Sequence, residues 1–400
     1  MQKLLSPIRL KRRWTTTQWT RLIVQVMFLA LTAGAIIRHR INEAAGMAGP
    51  EIGAPSVDAL SPMGGLETLW TWVSTGSLLR HLHMSDLILL GASVLLVFLL
   101  GPAFCGWICP FGTLQEWLYR MRTRFIPWKL TVPAKLDRIL RYGRYLVLGL
   151  VLFATYSAGD FIFGEYCPWK AVWDIGGTEL AIGGGIVLGL VVIGGLLVER
   201  AWCRYACPLG AFLGIFNKVT PVRLRRAATA CTSCNLCNRK CPMDLEIATA
   251  DAVTDTTCNR CLQCVDSCPK PEALEVKAGS RSVKGWVYGV LAAGIFGGVI
   301  LFSMATGTWE AYASNRAVVS DEATGMLSTE AIRGWRSLQQ VIDLWGIPQD
   351  LLYREMGLDA NTPTSTLLKE FEGRVNAQGV PVDTTFVREL VGRWQRGEVK

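Results

Sequence analysis

The chain has 400 residues, of which 50% are hydrophobic and 18% are charged, and its formal net charge is +9. A soluble domain of ordinary composition carries about 25% charged residues, so this composition favours a membrane protein. Thirteen cysteines would suggest a disulfide scaffold in a short secreted chain. Here the chain is long and two or three residues separate the cysteines, which is typical of metal ligation by reduced thiolates.

Five apolar stretches are long enough to be membrane spans, because about 20 residues cross a hydrocarbon core roughly 30 Å thick. The third is the weakest, since Tyr145, Tyr156 and Asp160 interrupt or end it. The five stretches lie at about 18–37, 86–104, 142–159, 180–198 and 285–305. We therefore expect a mainly α, polytopic helical membrane protein.

Basic residues collect in alternate connections between these stretches: the N-terminal arm, residues 118–141, and the segment after the fourth stretch. Cytoplasmic loops are enriched in Lys and Arg, so the pattern predicts a bacterial cytoplasmic (inner) membrane protein. The N-terminus, residues 105–141 and residues 199–284 are then cytoplasmic, and residues 306–400 are extracytoplasmic. Orientation in the membrane accounts for the positive charge, and no nucleic acid is expected as a partner.

A C-x3-C-P-x-G motif follows the second and the fourth apolar stretch, as FCGWICPFGTLQEW from residue 104 and WCRYACPLGAFLGI from residue 202. Span, outer loop, span and motif describe both 18–117 and 142–215, which predicts two parallel repeats related by an axis along the membrane normal. Residues i and i+4 share a helix face, so the two thiols of each pair point the same way if the spans continue through the motifs. We expect the four to hold a further metal centre, an iron–sulfur cluster at the cytoplasmic boundary: Cys105, Cys109, Cys203 and Cys207.

Two other interpretations of these pairs stay open. Buried free cysteines pack as small hydrophobic residues, and each pair could instead form a redox-active disulfide. The duplication of the motif and its cytoplasmic placement favour the metal centre.

Two consecutive runs, CTSCNLCNRKCP from residue 231 and CNRCLQCVDSCP from residue 258, each have the spacing C-x2-C-x2-C-x3-C-P. This is the bacterial two-cluster ferredoxin run, in which the fourth cysteine ligates the other cluster. It predicts two [4Fe–4S] clusters, the first held by Cys231, Cys234, Cys237 and Cys268, and the second by Cys258, Cys261, Cys264 and Cys241. Two zinc sites are the alternative, but zinc ribbons use two C-x-x-C pairs with a longer spacer.

The three histidines, His39, His81 and His83, all lie in the first outer loop. Haem or copper ligation there is open, but interfacial or solvated histidines beside arginines are the favoured interpretation. Cys167, alone in the second outer loop, is expected to be a packed residue. Cytoplasmic clusters alone would not carry electrons across roughly 30 Å of hydrocarbon, so a quinone, a haem or a partner must contribute.

Residues 326–399 suggest three or four short amphipathic helices, among them TSTLLKEFEGRV at 364–375, with Ser328 and Pro348 as plausible caps. The tail contains no cysteine, histidine or glycine-rich phosphate loop, so we expect a small helical docking module for an outer partner. A spacer that packs on the membrane face is the alternative.

The segments expected from these observations are a cytoplasmic basic arm, two membrane repeats joined by a basic connection, an α+β ferredoxin domain, a fifth transmembrane helix and the outer helical domain. In order they are 1–17, 18–117, 118–141, 142–227, 228–280, 285–305 and 306–400.

The chain resembles the NapH/NosR-type membrane polyferredoxins, through FCGWICPFGTLQEWL, YCPWKAV, WCRYACPLGAF and the double ferredoxin run. The resemblance covers residues 18 to about 305. It implies a membrane-bound iron–sulfur electron-transfer subunit, with a quinol dehydrogenase type as a candidate, that relays electrons between the quinone pool or a cytoplasmic donor and an extracytoplasmic redox partner.

The alternative is a metal-reducing assembly or regulatory factor for a respiratory enzyme. Two departures from the family pattern matter. No FMN-attachment threonine motif precedes the first span, and Ser61 stands where the second repeat has Cys167, so a role that needs two outer cysteines is not expected.

Overall fold

The computed structural model describes residues 14–44, 60–75, 84–126, 132–158, 163–173, 182–309, 336–359, 361–371, 373–376 and 379–399, and the single residues 130, 175, 329, 332 and 334. The chain forms two compact units. The first comprises Met1–Ile41 and Ala54–Ala311, and the second comprises Asn42–Gly53 and Tyr312–Lys400.

All five predicted apolar stretches coincide with helices. Three candidate spans are long and apolar enough to cross a membrane: Thr16–Arg38, Ala134–Ser157 and Gly285–Ala305. Two further apolar helices, Met84–Leu100 and Ile182–Leu197, are shorter, with 17 and 16 residues. Large aliphatic and aromatic side chains, among them Leu146, Phe153 and Leu190, are exposed along these helices, as expected for surfaces that face lipid.

The helices of the first unit, in chain order, are α1 Thr16–Ala44, α2 Pro62–Thr75, α3 Met84–Leu100, α4 Pro110–Phe125, α5 Ala134–Leu140, α6 Gly143–Ala158, α7 Phe163–Tyr166, α8 Pro168–Trp173, α9 Ile182–Leu197, α10 Ala201–Tyr205, α11 Pro208–Ile215, α12 Leu236–Arg239, α13 Gln263–Ser267 and α14 Gly285–Ala305.

The segment after α3 packs along α14. The hydroxyl of Tyr288, near the start of α14, donates to the carbonyl oxygen of Leu100 at 2.8 Å. Four residues after Leu100, the ring of Phe104 lies 5.4 Å from the ring of Phe296. Phe296 is eleven residues into α14, or about 16 Å along its axis. Cys105 therefore lies beside the first half of α14 rather than beyond its end.

An antiparallel sheet in the order β2-β1-β3-β4 forms the ferredoxin domain between α11 and α14. Its strands are β1 Val222–Arg226, β2 Ala252–Val253, β3 Leu274–Ala278 and β4 Arg281–Val283. Leu224 of β1 pairs with Val276 of β3, and both side chains are buried. β1 lies before the predicted domain start at residue 228, and its pairing with β3 makes it part of the domain.

The second unit has its own apolar core, built from Leu338, Val341, Leu352, Val387 and Val391. Its elements are α15 Leu338–Trp345, α16 Gln349–Met356, the strands β5 Arg374–Val375 and β6 Pro381–Val382, and α17 Thr384–Gln395.

Two details of this unit differ from the sequence prediction. Ser337 is the N-cap of α15, where its hydroxyl accepts from the Gln340 N–H at 3.2 Å; the predicted cap, Ser328, lies outside the described residues. The predicted helix over 364–375 is a single 3-10 turn, Leu368–Phe371, followed by β5. Gly373 adopts φ 87°, a left-handed conformation that a continuing helix does not contain.

Candidate metal centres

The first ferredoxin quartet lines a pocket that opens to solvent. All four predicted cysteines contribute to its wall: Cys231, Cys234, Cys237 and Cys268. Cys234 is exposed, and N–H and hydroxyl donors from Leu236 and Thr232 lower the pKa of its thiol. The pocket therefore has the donor set that a [4Fe–4S] cluster requires.

The second ferredoxin quartet is deeply placed. Cys258, Cys261 and Cys264 are buried, and Cys264 interacts electrostatically with both of the others and with Cys241. Cys241 is the cysteine that the sequence assigns to this site from the other run. Burial raises the pKa of Cys258 to about 11, so the thiolate form requires a positive partner here.

The same backbone geometry builds both sites. Ser233 and Asn235 adopt positive φ angles of 53° and 55°. Arg260 and Leu262, at the equivalent positions of the second run, adopt 52° and 60°. Such conformations are uncommon for residues other than glycine and persist where the surrounding structure holds them. They turn each short loop so that three cysteines face one side.

The structure also brings the two CxxxCP pairs together. Cys207 interacts electrostatically with Cys203, Cys105 and Cys109, so the four thiols form one group. The amide of Gln115 lies 3.3 Å from the sulfur of Cys203, and the backbone N–H of Gly210 lies 3.3 Å from that of Cys207. None of the thirteen cysteines forms a disulfide.

The two pairs are presented in the same way, although neither is carried by a continuous span as expected. Gly101, at φ 83°, follows the end of α3, and a π-helical turn over Phe104–Ile108 then carries Cys105. In the second repeat α10 carries Cys203. The second cysteine of each pair caps the next helix, α4 or α11, which begins with proline at its first position.

Positive charge surrounds this CxxxCP quartet. Burial, opposed in part by Arg200, raises the pKa of Cys203 to about 11. The side chains of Arg200 and Arg144 are buried, and both favour the charged form of Cys105. Four sulfur donors beside two buried guanidinium groups fit a centre that carries net negative charge when it is bound to four thiolates.

In the part of the chain that the structure describes, no three His, Cys, Asp or Glu side chains lie close enough to hold one metal ion.

The CxxxCP quartet and the second ferredoxin quartet meet through the backbone. A Cβ on Gly106 would overlap the carbonyl oxygen of Asn259 and would lie 3.0 Å from the nitrogen of Cys261. The indole N–H of the next residue, Trp107, donates to the carbonyl oxygen of Arg260 at 2.9 Å. Gly106, the residue after Cys105, is thus in contact with the backbone of Asn259 and Cys261.

A buried ion-pair network, which sequence reasoning missed, spans the same junction. Arg200 donates to Glu116 at 2.7 Å and to the carbonyl oxygen of Cys105 at 2.7 Å. Arg21 of α1 donates to the same carboxylate at 2.5 Å, and Gln263 of the ferredoxin domain donates to it at 3.0 Å. In the sequence these arginines appear only as markers of membrane orientation.

A family model described as a 4Fe-4S binding domain matches residues 82–133 and 180–227. The putative electron transport protein YccM of Escherichia coli is 29% identical over 267 residues, which cover 64% of this chain and 74% of YccM. The uncharacterized protein MJ0750 of Methanocaldococcus jannaschii is 38% identical over 179 residues, covering 44% of this chain and 73% of MJ0750.

The ferredoxin-type protein NapH of Haemophilus influenzae is 27% identical over 213 residues, covering 48% of this chain and 70% of NapH. The regulatory protein NosR of Pseudomonas aeruginosa is also similar, but the match covers only 24% of its length. This chain belongs to the NapH/NosR-type ferredoxin-like proteins. It is an iron–sulfur electron-transport protein with helices capable of spanning a membrane. No solved structure matches it.

The 4Fe-4S binding match has an informative position in this NapH/NosR-type chain. Its two segments contain Cys105 with Cys109 and Cys203 with Cys207, and the second ends at residue 227, before the ferredoxin run.

The remaining sequence candidates are Cys167 and the three histidines. Cys167 is buried beside α8, whose Trp169 ring lies 6.2 Å from that of Phe111. The side chain of His39, and the whole of His81 and His83, lie outside the described residues.

Proposed function

We propose that this protein relays single electrons through three iron–sulfur centres. The assigned ligands are the first ferredoxin quartet, the second ferredoxin quartet and the CxxxCP quartet. Bound clusters would supply reversible one-electron exchange without an open position for a substrate. The chain's own residues hold the sulfurs, exclude water from the inner two sites and balance their charge.

The observation that carries this proposal is the contact of Gly106 with the backbone on either side of Arg260, since it joins two quartets without intervening solvent. Electrons would pass from the exposed first quartet through the buried second quartet to the CxxxCP quartet. The place of Cys105 beside the first half of α14 supports a site partly inside the membrane layer, which shortens the remaining distance to the far side.

The rest of the path belongs to other molecules. We propose that the N-terminus and the ferredoxin domain are cytoplasmic and that the C-terminal unit is extracytoplasmic, in agreement with the distribution of basic residues. A quinone in the bilayer would exchange electrons with the CxxxCP quartet, and an extracytoplasmic redox protein would be the partner on the other side.

Anaerobic reconstitution into lipid vesicles tests this relay. Vesicles that contain a menaquinone analogue and enclose ferricyanide are mixed with a reduced membrane-impermeant dye outside. We expect the enclosed ferricyanide to be reduced only when the protein is present, and not by the Cys203→Ser variant. Reduction of external Cu²⁺ without any transfer to the quinone or to the enclosed acceptor would favour the metal-reducing assembly factor instead.

A further inference from the structure

The acidic side chains of the ferredoxin domain are unevenly placed. Three of them contact residues of the membrane helices and their connections. The contacts are Asp244 with Arg204 at 3.0 Å, Asp255 with Arg141 at 4.0 Å and Asp266 with the hydroxyl of Thr15 at 3.1 Å. These contacts hold the domain against the helices and draw negative charge to that side.

Basic side chains surround the exposed first quartet, on the side of the domain away from these contacts. Arg239 donates to the carbonyl oxygen of Cys234 at 3.1 Å. Lys270 follows Cys268 by two residues, and its carbonyl oxygen lies 3.1 Å from that sulfur. Lys240 follows Arg239 at the end of α12. Arg239, Lys240 and Lys270, here called the cationic rim, are exposed and form no ion pair with any residue that the structure describes.

Three acids offset part of this charge. Arg226 lines the same pocket and is 3.5 Å from Asp251, whose side chain is almost fully exposed. Glu272 is exposed two residues after Lys270, and Glu246 is exposed immediately before a pocket residue. The three rim residues and Arg226 outnumber these acids by one, so the surface beside the first quartet keeps a net positive charge.

We propose that the cationic rim is the docking surface for a small, soluble, acidic protein that carries one electron at a time. This inference rests on the proposed function and names the partner class of its exposed end. One electron leaves the carrier's redox group and enters the first centre, or passes in the reverse direction, and no covalent bond changes. A protein fits better than anionic lipid, because the second quartet and the acids above occupy the side of the domain that contacts the membrane helices.

The test uses the full-length protein in nanodiscs of zwitterionic lipid and an acidic flavodoxin as the probe. Affinity is measured by surface plasmon resonance at low and high ionic strength, and electron transfer from the reduced flavodoxin is followed by its absorbance. The test variant is Arg239→Glu/Lys270→Glu. The control is Arg281→Glu, in β4, because Arg281 pairs with Ala278 at the end of β3 that lies away from the pocket residue Leu274.

We expect the double variant to bind flavodoxin about tenfold more weakly at low salt, or weaker still, and to lose most of the salt dependence. The control should change less than twofold, and reduction by dithionite should be unchanged in both. Equal affinity for the wild type and the double variant, or salt-independent binding, overturns the proposal. Binding of anionic vesicles to the rim without binding of flavodoxin also overturns the proposal. If the protein holds no clusters, even dithionite reduces none of the variants, and it is the proposed function that fails.

Discussion

Replacing Glu116 with glutamine removes a buried negative charge at the junction of α1, α4, α10 and the ferredoxin domain. The carboxylate is fully buried, and it receives hydrogen bonds from Arg21, Arg200 and Gln263. Glutamine preserves the volume and can still accept hydrogen bonds. Two buried guanidinium groups would then lack a counter-charge, which isolates the electrostatic contribution of the network.

The size of that contribution follows from the electrostatics of the carboxyl group. Burial alone would raise the pKa of Glu116, but Arg21, Arg200 and Arg120 together lower it from 4.5 to about 2. A fall of that size corresponds to about 3 kcal/mol in favour of the charged, folded state. Removal of one partner from a buried ion pair typically costs about 3–5 kcal/mol, which agrees with this value.

Thermal unfolding in detergent, followed by circular dichroism and by loss of the cluster absorbance, measures the effect. For the first unit we expect Glu116→Gln to lower the midpoint by about 6–12 °C. The matched control is Glu275→Gln in β3, where the carboxylate is partly exposed and lies 3.4 Å from Lys277. That change should cost about 0–1 kcal/mol. If the two variants unfold at the same temperature, the network does not stabilise the junction and the reasoning is refuted.

Three further predictions concern the same junction. Gly106→Ala forces a Cβ onto Asn259, which should weaken the packing of the ferredoxin domain on the helices by about 1–3 kcal/mol. We expect a lower thermal midpoint and slower electron transfer from a dye on the ferredoxin side to quinone. The control Gly149→Ala, with no atom within 4 Å of the added Cβ, should change neither. Trp107→Phe loses an indole hydrogen bond and should destabilise by about 1–3 kcal/mol in the same unfolding assay, because a buried carbonyl is left unpaired; an unchanged midpoint would contradict this. Since the pKa of Glu116 is lowered in the folded state, its contribution to stability is present above about pH 4.5 and is lost as the pH falls towards 2. The difference in thermal midpoint between the wild type and Glu116→Gln should therefore narrow between pH 6 and pH 3. A constant difference would contradict this prediction.

The cysteine spacing predicted more of the candidate site than any other feature. It grouped the first ferredoxin quartet, whose four members line one pocket, and it placed Cys241 with the opposite run. It also anticipated that the two CxxxCP pairs would meet, because their repeated context implied equivalent places. These are local or duplicated patterns, which a single sequence displays directly.

Long-range pairing could not be predicted in the same way. Arg200 reads as an ordinary basic residue after an apolar stretch, yet its side chain is fully buried and 84 residues separate it from Glu116. Gly106 is one of 40 glycines, and only the folded chain brings it against Asn259. The predicted start of the ferredoxin domain left out β1, because the strand that pairs with it, β3, lies about fifty residues further along the chain. The sequence shows these residues but not which residues they contact in the folded chain.

The most direct measurement is the iron and acid-labile sulfide content of anaerobically purified protein, compared between the wild type and Cys203→Ser/Cys207→Ser. The account predicts about twelve irons and twelve sulfides per chain for the wild type, four for each quartet, and about eight of each for the variant. Cys167→Ser, a buried cysteine outside the quartets, should retain about twelve. About eight irons in the wild type and the double variant alike, or zinc in place of iron, would contradict the claim that three cysteine quartets form a path for electrons.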